Sequence, residues 1–112
     1  MITWNNLDKL TSYQELEKTE SVDLAAVMAG ENGAERVKNY SVPMAEGLAY
    51  NYAAKKVDDT VLAALEKLAE EAQLTEKFEA LYNGEVVNTG EKRLVLHHMT
   101  RGQLGDAVNA DG

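Results

Sequence analysis

The stretch from Asp58 to Gln73 constrains this chain more than any other. Val61, Leu62, Leu65, Leu68, Ala69 and Ala72 recur at intervals of three and four, while Glu66, Lys67, Glu70, Glu71 and Gln73 fill the other side. That spacing lines the apolar groups along one face of an α-helix, whereas a strand repeats every two residues. Asp58 or Asp59 stands where a carboxylate can accept from the unpaired amides of the first turn. A helix with one apolar face must bury it, so the rest of the chain has to supply a cover.

The candidates for that cover are short. Thr11 and Ser12 precede Gln14 and Glu15 at the spacing of overlapping capping boxes, which predicts a helix running through Leu16 to about Lys18. A second is predicted from Val22 to Ala29, with Asp23 favoured in its first turn by the helix dipole and Gly30 as the stop. A third covers Gly33 to Asn39, and the single proline, Pro43, closes this region. Leu48-Ala49-Tyr50-Asn51-Tyr52 is the best strand candidate. Beyond the central helix, Thr75 is placed to cap another that carries Phe78, Leu81 and Tyr82 and stops at Asn83-Gly84. Glu91 to about Arg101 reads as a last helix, and Gly102 to Gly112 as loop with an extended segment at Ala107-Val108. The fold class expected is mainly α, with at most one or two short strands.

Apolar residues make up 45% of the 112, but only 6% are aromatic and much of the remainder is alanine, so any core is thin. A formal charge of −8 disfavours nucleic acid and anionic lipid, both of which need clustered Lys and Arg, and argues against a phosphorylated ligand for these residues alone. No apolar run approaches the roughly 20 residues that span a bilayer, and Met1-Ile2-Thr3-Trp4-Asn5 lacks the pattern of a signal peptide. With no cysteine to form disulfides, a cytoplasmic location is the expectation.

From Leu48 to about Gly112 the sequence resembles the N-terminal region of the long-form glucose-6-phosphate isomerases. The densest match is NGEVVNTGEKRLVLHHMTRG, Asn83 to Gly102, against the family run G-E-x-I-N-x-T-E-x-R-A-V-L-H-x-A-L-R. Gly84, Glu85, Asn88, Glu91, Arg93, Val95, Leu96, His97 and Arg101 stand at matching positions. A second, weaker match sets Tyr50-Asn51-Tyr52-Ala53-Ala54-Lys55, running into Asp58-Asp59, against a hydrophobic-D-Y-S-K-N segment. Asn51 for Asp, Ala53 for Ser, Gly90 for Thr and Leu94 for Ala depart from the pattern, as in a divergent branch whose local loop hydrogen bonds differ.

The resemblance implies that residues 1–112 are an N-terminal helical domain or fragment of a larger α/β enzyme, with two sugar-isomerase domains beyond residue 112. It implies an enzyme that interconverts glucose 6-phosphate and fructose 6-phosphate in glycolysis and gluconeogenesis, acts as a homodimer and uses no cofactor. Its chemistry needs a carboxylate base, ring-opening acid and base groups and a phosphate cradle, all of which the family carries in the sugar-isomerase domains. No catalytic, cofactor-binding or metal residue is therefore assigned here. The rival reading is an independent small helical interaction module.

Several residues invite a different reading. Glu85, Arg93 and His97 offer an acid, a cation and a base, and on a helix Arg93 and His97 would share a side; a structural ion pair and a hydrogen-bonded interface histidine account for them better. His97 and His98, being adjacent, would diverge by about 100° on a helix and not converge on one metal. Asp106, Asn109, Asp111 and Gly112 have the wrong spacing for a calcium loop. The Glu66 to Glu71 face is read as solvated and Trp4 as partly exposed or packed on its neighbouring helix. Finally, Leu94, Val95, Leu96 and Met99 span more than one side of the helix expected there, which predicts an apolar patch on or beside it.

Overall fold

The computed structural model describes residues 1–100 of the chain. Among them are five α-helices and two antiparallel hairpins, each of two short strands. The predicted helix at Asp58 is the longest element, α4 (Asp59–Glu71), and Asp58 is its cap, accepting from the Val61 amide at 2.8 Å.

Against α4 lies α1 (Thr11–Glu17), running antiparallel to it. Lys67 reaches Glu15 at 4.0 Å midway along the pair, and the Thr11 end sits at the Glu71 end of α4. The capping boxes predicted for Thr11 and Ser12 do not form. Leu10 occupies the cap position and has no side-chain acceptor to offer, so the orphan amides turn elsewhere. Glu71 takes them: its carboxylate accepts from the amide nitrogens of Thr11 (3.3 Å) and Ser12 (2.7 Å) and from the Ser12 hydroxyl. The bonds from the Ser12 hydroxyl, then those from the Ser12 and Thr11 amides, hold the Glu71 carboxyl below its ordinary range.

The other helices fall close to their predicted places. In α2 (Leu24–Ala29), Asp23 is the cap, accepting from the Ala26 amide at 3.2 Å. Gly33 opens α3 (Gly33–Asn39), and a Cβ there would stand 2.1 Å from the Met28 carbonyl oxygen, so only glycine permits this corner. For α5 (Leu74–Tyr82) the cap is Gln73, in the left-handed conformation at φ 55°, and not the predicted Thr75, which lies inside the first turn. The Gln73 amide instead clamps the N-terminal segment, accepting from the Thr3 amide at 2.8 Å and donating to the Met1 carbonyl at 3.1 Å.

The first hairpin pairs β1 (Ser41–Pro43) with β2 (Ala49–Asn51), the second strand being the predicted one. The second hairpin overturns a prediction. In place of a helix from Glu91, β3 (Val86–Asn88) pairs with β4 (Arg93–Leu94), followed by a 3₁₀ turn at His97–Thr100. The reason is local: Asn88 Oδ1 accepts from the Glu91 amide at 3.2 Å, closing a turn, and Lys92 sits at φ 55°, where a right-handed helix cannot start. The expected loop at Gly102–Gly112, its Ala107-Val108 segment and the end of the helix at Arg101 lie outside the described residues.

The core is as thin as the composition predicts. Among the described residues its buried apolar side chains are Val22, Ala53 and Ala80, and no large side chain is fully enclosed.

Candidate functional site

The residues singled out in the matched run are not brought together as a helix would have done. Glu85 follows Gly84 at the end of α5, its amide bonded to the Ala80 carbonyl at 2.9 Å and its side chain exposed. Arg93 lies on β4 and pairs with Glu91 at 3.9 Å, both groups being well exposed. His97 is in the 3₁₀ turn, so it shares no helical face with Arg93. His98 stacks on Tyr82, ring centroids 4.8 Å apart, with Nε2 3.1 Å from the Tyr82 carbonyl oxygen. Among the described residues no group of three His, Cys, Asp or Glu side chains is placed to hold a metal ion. The calcium-loop positions 106–112 lie outside the described residues. Trp4 is partly exposed beside α5, with the Lys77 ammonium 5.3 Å from its ring centre.

The best-built side-chain constellation is one that the sequence reading missed. Arg36, on α3, donates from Nε to the Ala53 carbonyl at 2.9 Å and from Nη2 to the carbonyls of Lys55 (2.9 Å) and Val57 (2.8 Å). Its guanidinium lies 4.4 Å from the ring centre of Tyr40, one helical turn on. Tyr40 stacks on Tyr52 at 5.0 Å, and Tyr52 on Tyr50 at 6.3 Å. The Tyr40 hydroxyl donates to Asp59 Oδ1 at 3.0 Å, beside the start of α4. Asn51 completes the knot, donating from Nδ2 to the Val37 carbonyl at 2.7 Å and accepting the Ala53 amide at 3.0 Å. Burial, then the bond to Asp59 and its negative charge, push the Tyr40 hydroxyl above its ordinary value against the opposing pull of Arg36.

This cluster positions backbone. Arg36 spends its donors on three carbonyls of the segment that leads into α4, and the cleft beside it is lined by Glu31, Glu35 and Asp59, which repel a phosphate. Legible signals existed: Tyr40 stands four residues after Arg36, just past the end of a predicted helix, and Tyr50 and Tyr52 alternate on a predicted strand. Their meeting required knowing how the hairpin folds back on α3.

The phosphoglucose isomerase family profile matches residues 51–112, more than half of the chain. The chain belongs to the phosphoglucose isomerase family. It is 53% identical over 110 residues to a protein of Treponema denticola named glucose-6-phosphate isomerase, covering 94% of this chain and 21% of that relative. A Treponema pallidum protein of the same name is 45% identical over 100 residues, covering 89% and 19%. One from Borreliella afzelii is 38% identical over 112 residues, covering 99% and 20%. The similarity extends to the residues before Leu48, where the resemblance read from the sequence begins. The chain thus spans about a fifth of the length of the curated relatives it matches, and corresponds to their N-terminal region. In this member of the phosphoglucose isomerase family, Asn51 makes two loop hydrogen bonds, of which an aspartate could make only the accepting one. No helix among the described residues is long and apolar enough to cross a membrane.

Proposed function

We propose that this chain is the N-terminal structural part of a glucose-6-phosphate isomerase and contributes no catalytic, cofactor-binding or metal residue to it. The parent enzyme interconverts glucose 6-phosphate and fructose 6-phosphate in glycolysis and gluconeogenesis, as a cytoplasmic homodimer whose sugar-isomerase domains follow residue 112. The role of this part is to pack against those domains and hold the first turn of α4 in place through the Arg36 knot. The observation that carries the reading is the family match together with relatives named glucose-6-phosphate isomerase along nearly the whole chain. It favours an enzyme segment over a free-standing interaction module.

The thin core supports a segment completed by others, and the acidic cleft beside Arg36 supports the absence of a phosphate site here. The test is catalytic. The full-length polypeptide should isomerise fructose 6-phosphate, and residues 1–112 purified free of host isomerase should not. Calorimetry of the short chain with 6-phosphogluconate should give no micromolar dissociation constant, which would correspond to about 8 kcal/mol of binding. Turnover by the short chain would overturn the structural assignment, and an inactive full-length protein would overturn the enzymatic one.

A further inference from the structure

The apolar patch predicted beside residues 91–101 is present only in part where it was expected. Leu94, Val95 and Leu96 are half-buried and Met99 is exposed. A stronger one lies on α5. Leu74, Phe78 and Tyr82 follow one another at intervals of four, so they form a single stripe, and their exposures are 60%, 64% and 42%. The other side of the same helix is satisfied, since Ala80 is buried and α5 packs on α4 and β3. Among the described residues His98 lies against the Tyr82 ring, while Leu74 and Phe78 stay the more exposed of the three.

We infer that the Leu74–Phe78–Tyr82 face is where the downstream portion of the same polypeptide docks. The inference rests on the proposed enzyme reading and specifies which surface carries the packing. Three observations select this occupant. The relatives extend this chain about five-fold, so a large partner in cis is available. The 3₁₀ turn at His97–Thr100, the last described element, is seated on this helix through the His98–Tyr82 stack, which brings the end of the described residues beside the stripe. Nδ1 of His98, enclosed beside Tyr82, has no hydrogen-bond partner among the described residues, and the arriving chain would supply one.

Hydroxyl-radical footprinting of the full-length polypeptide tests this without any substitution. Labelling of Phe78 in the folded protein is compared with labelling in urea, with Met44 and Leu48 on the first hairpin as references. If exposure falls from 64% to the few per cent typical of a core phenylalanine, labelling should slow by about ten-fold. Phe78 labelled as fast in the folded full-length protein as its exposure in this chain implies would overturn the inference. So would protection that disappears on dilution to monomers, because the cover would then be a second copy. Isomerase activity measured on the same sample separates the two failures: an active protein with an unprotected Phe78 refutes only the docking face, and an inactive one refutes the underlying reading.

Discussion

The two hairpins are both minimal, yet they are held in different ways. The first, β1–β2, is tied to its surroundings by side chains: Asn51 to the end of α3, and the Tyr50–Tyr52–Tyr40 stack to Arg36 and Asp59. The second, β3–β4, has a bulge between Val86 and Asn88 and a turn whose side-chain bonds, Asn88 to Glu91, stay within four residues. Two-stranded hairpins are marginal in water, so what surrounds them decides whether they persist. The first hairpin is therefore a part of the folded body, and the second depends on α5 and on whatever covers that helix.

If this contrast is right, the largest loss should come from Arg36. Arg36→Ala removes three charge-assisted bonds and leaves carbonyls around Ala53 unpaired, for an expected loss of about 2–4 kcal/mol in urea unfolding. Arg36→Lys should recover less than half, because one ammonium on a flexible stem cannot reproduce the planar fork. A loss under about 1 kcal/mol for Arg36→Ala would mean that the knot is not what fixes the first hairpin.

Asn51→Asp sharpens the comparison at a single atom. It keeps the acceptor for Ala53 but sets a carboxylate oxygen against the Val37 carbonyl, with an expected cost of about 1–2 kcal/mol that shrinks as the pH falls and the acid protonates. Equal stability across that range would remove Asn51 from the account.

Tyr40→Phe should cost about 0.5–1.5 kcal/mol near neutral pH, the value of one hydrogen bond to Asp59. Because the folded state raises the Tyr40 pKa, its contribution is complete below the unfolded value of about 10 and is lost as pH rises through the higher folded value. The variant should therefore show a flatter alkaline limb than the parent chain, and an unchanged limb would contradict the bond. The smallest effect belongs to the second hairpin: Arg93→Ala breaks only an exposed pair and should change stability by less than about 0.5 kcal/mol. A large loss there would put the two hairpins on the same footing.

The same contrast explains what could be read from sequence. The helices at Leu24, Gly33, Asp59 and Leu74 announced themselves through spacing and, at Asp23 and Asp58, through caps a few residues from the amides they serve. Partners distant in sequence left no such trace. Glu71 and Gln73 looked like two more polar residues on the outer side of the central helix, yet each binds backbone about sixty or seventy residues earlier. The misread segment at Glu91 fails for another reason. Leu94, Val95, Leu96 and Met99 fit a helix by spacing, while the Asn88 turn and the left-handed Lys92 commit the chain to a strand before that spacing can act. Of the candidate residues, the solvated pair at Arg93 was legible; the Arg36 knot was not, because its acceptors are backbone carbonyls, which sequence does not display.

The dependence of α1 on Glu71 also sets a timetable. With seven residues, α1 is shorter than the roughly 12–15 that an isolated helix needs to be even marginal in water. Its amide cap is made 59 residues later, which at about 5–20 residues per second is an interval of about 3–12 s during synthesis. Through that interval Thr11 and Ser12 have only water to bond, so the first helix to be made is among the last to be closed.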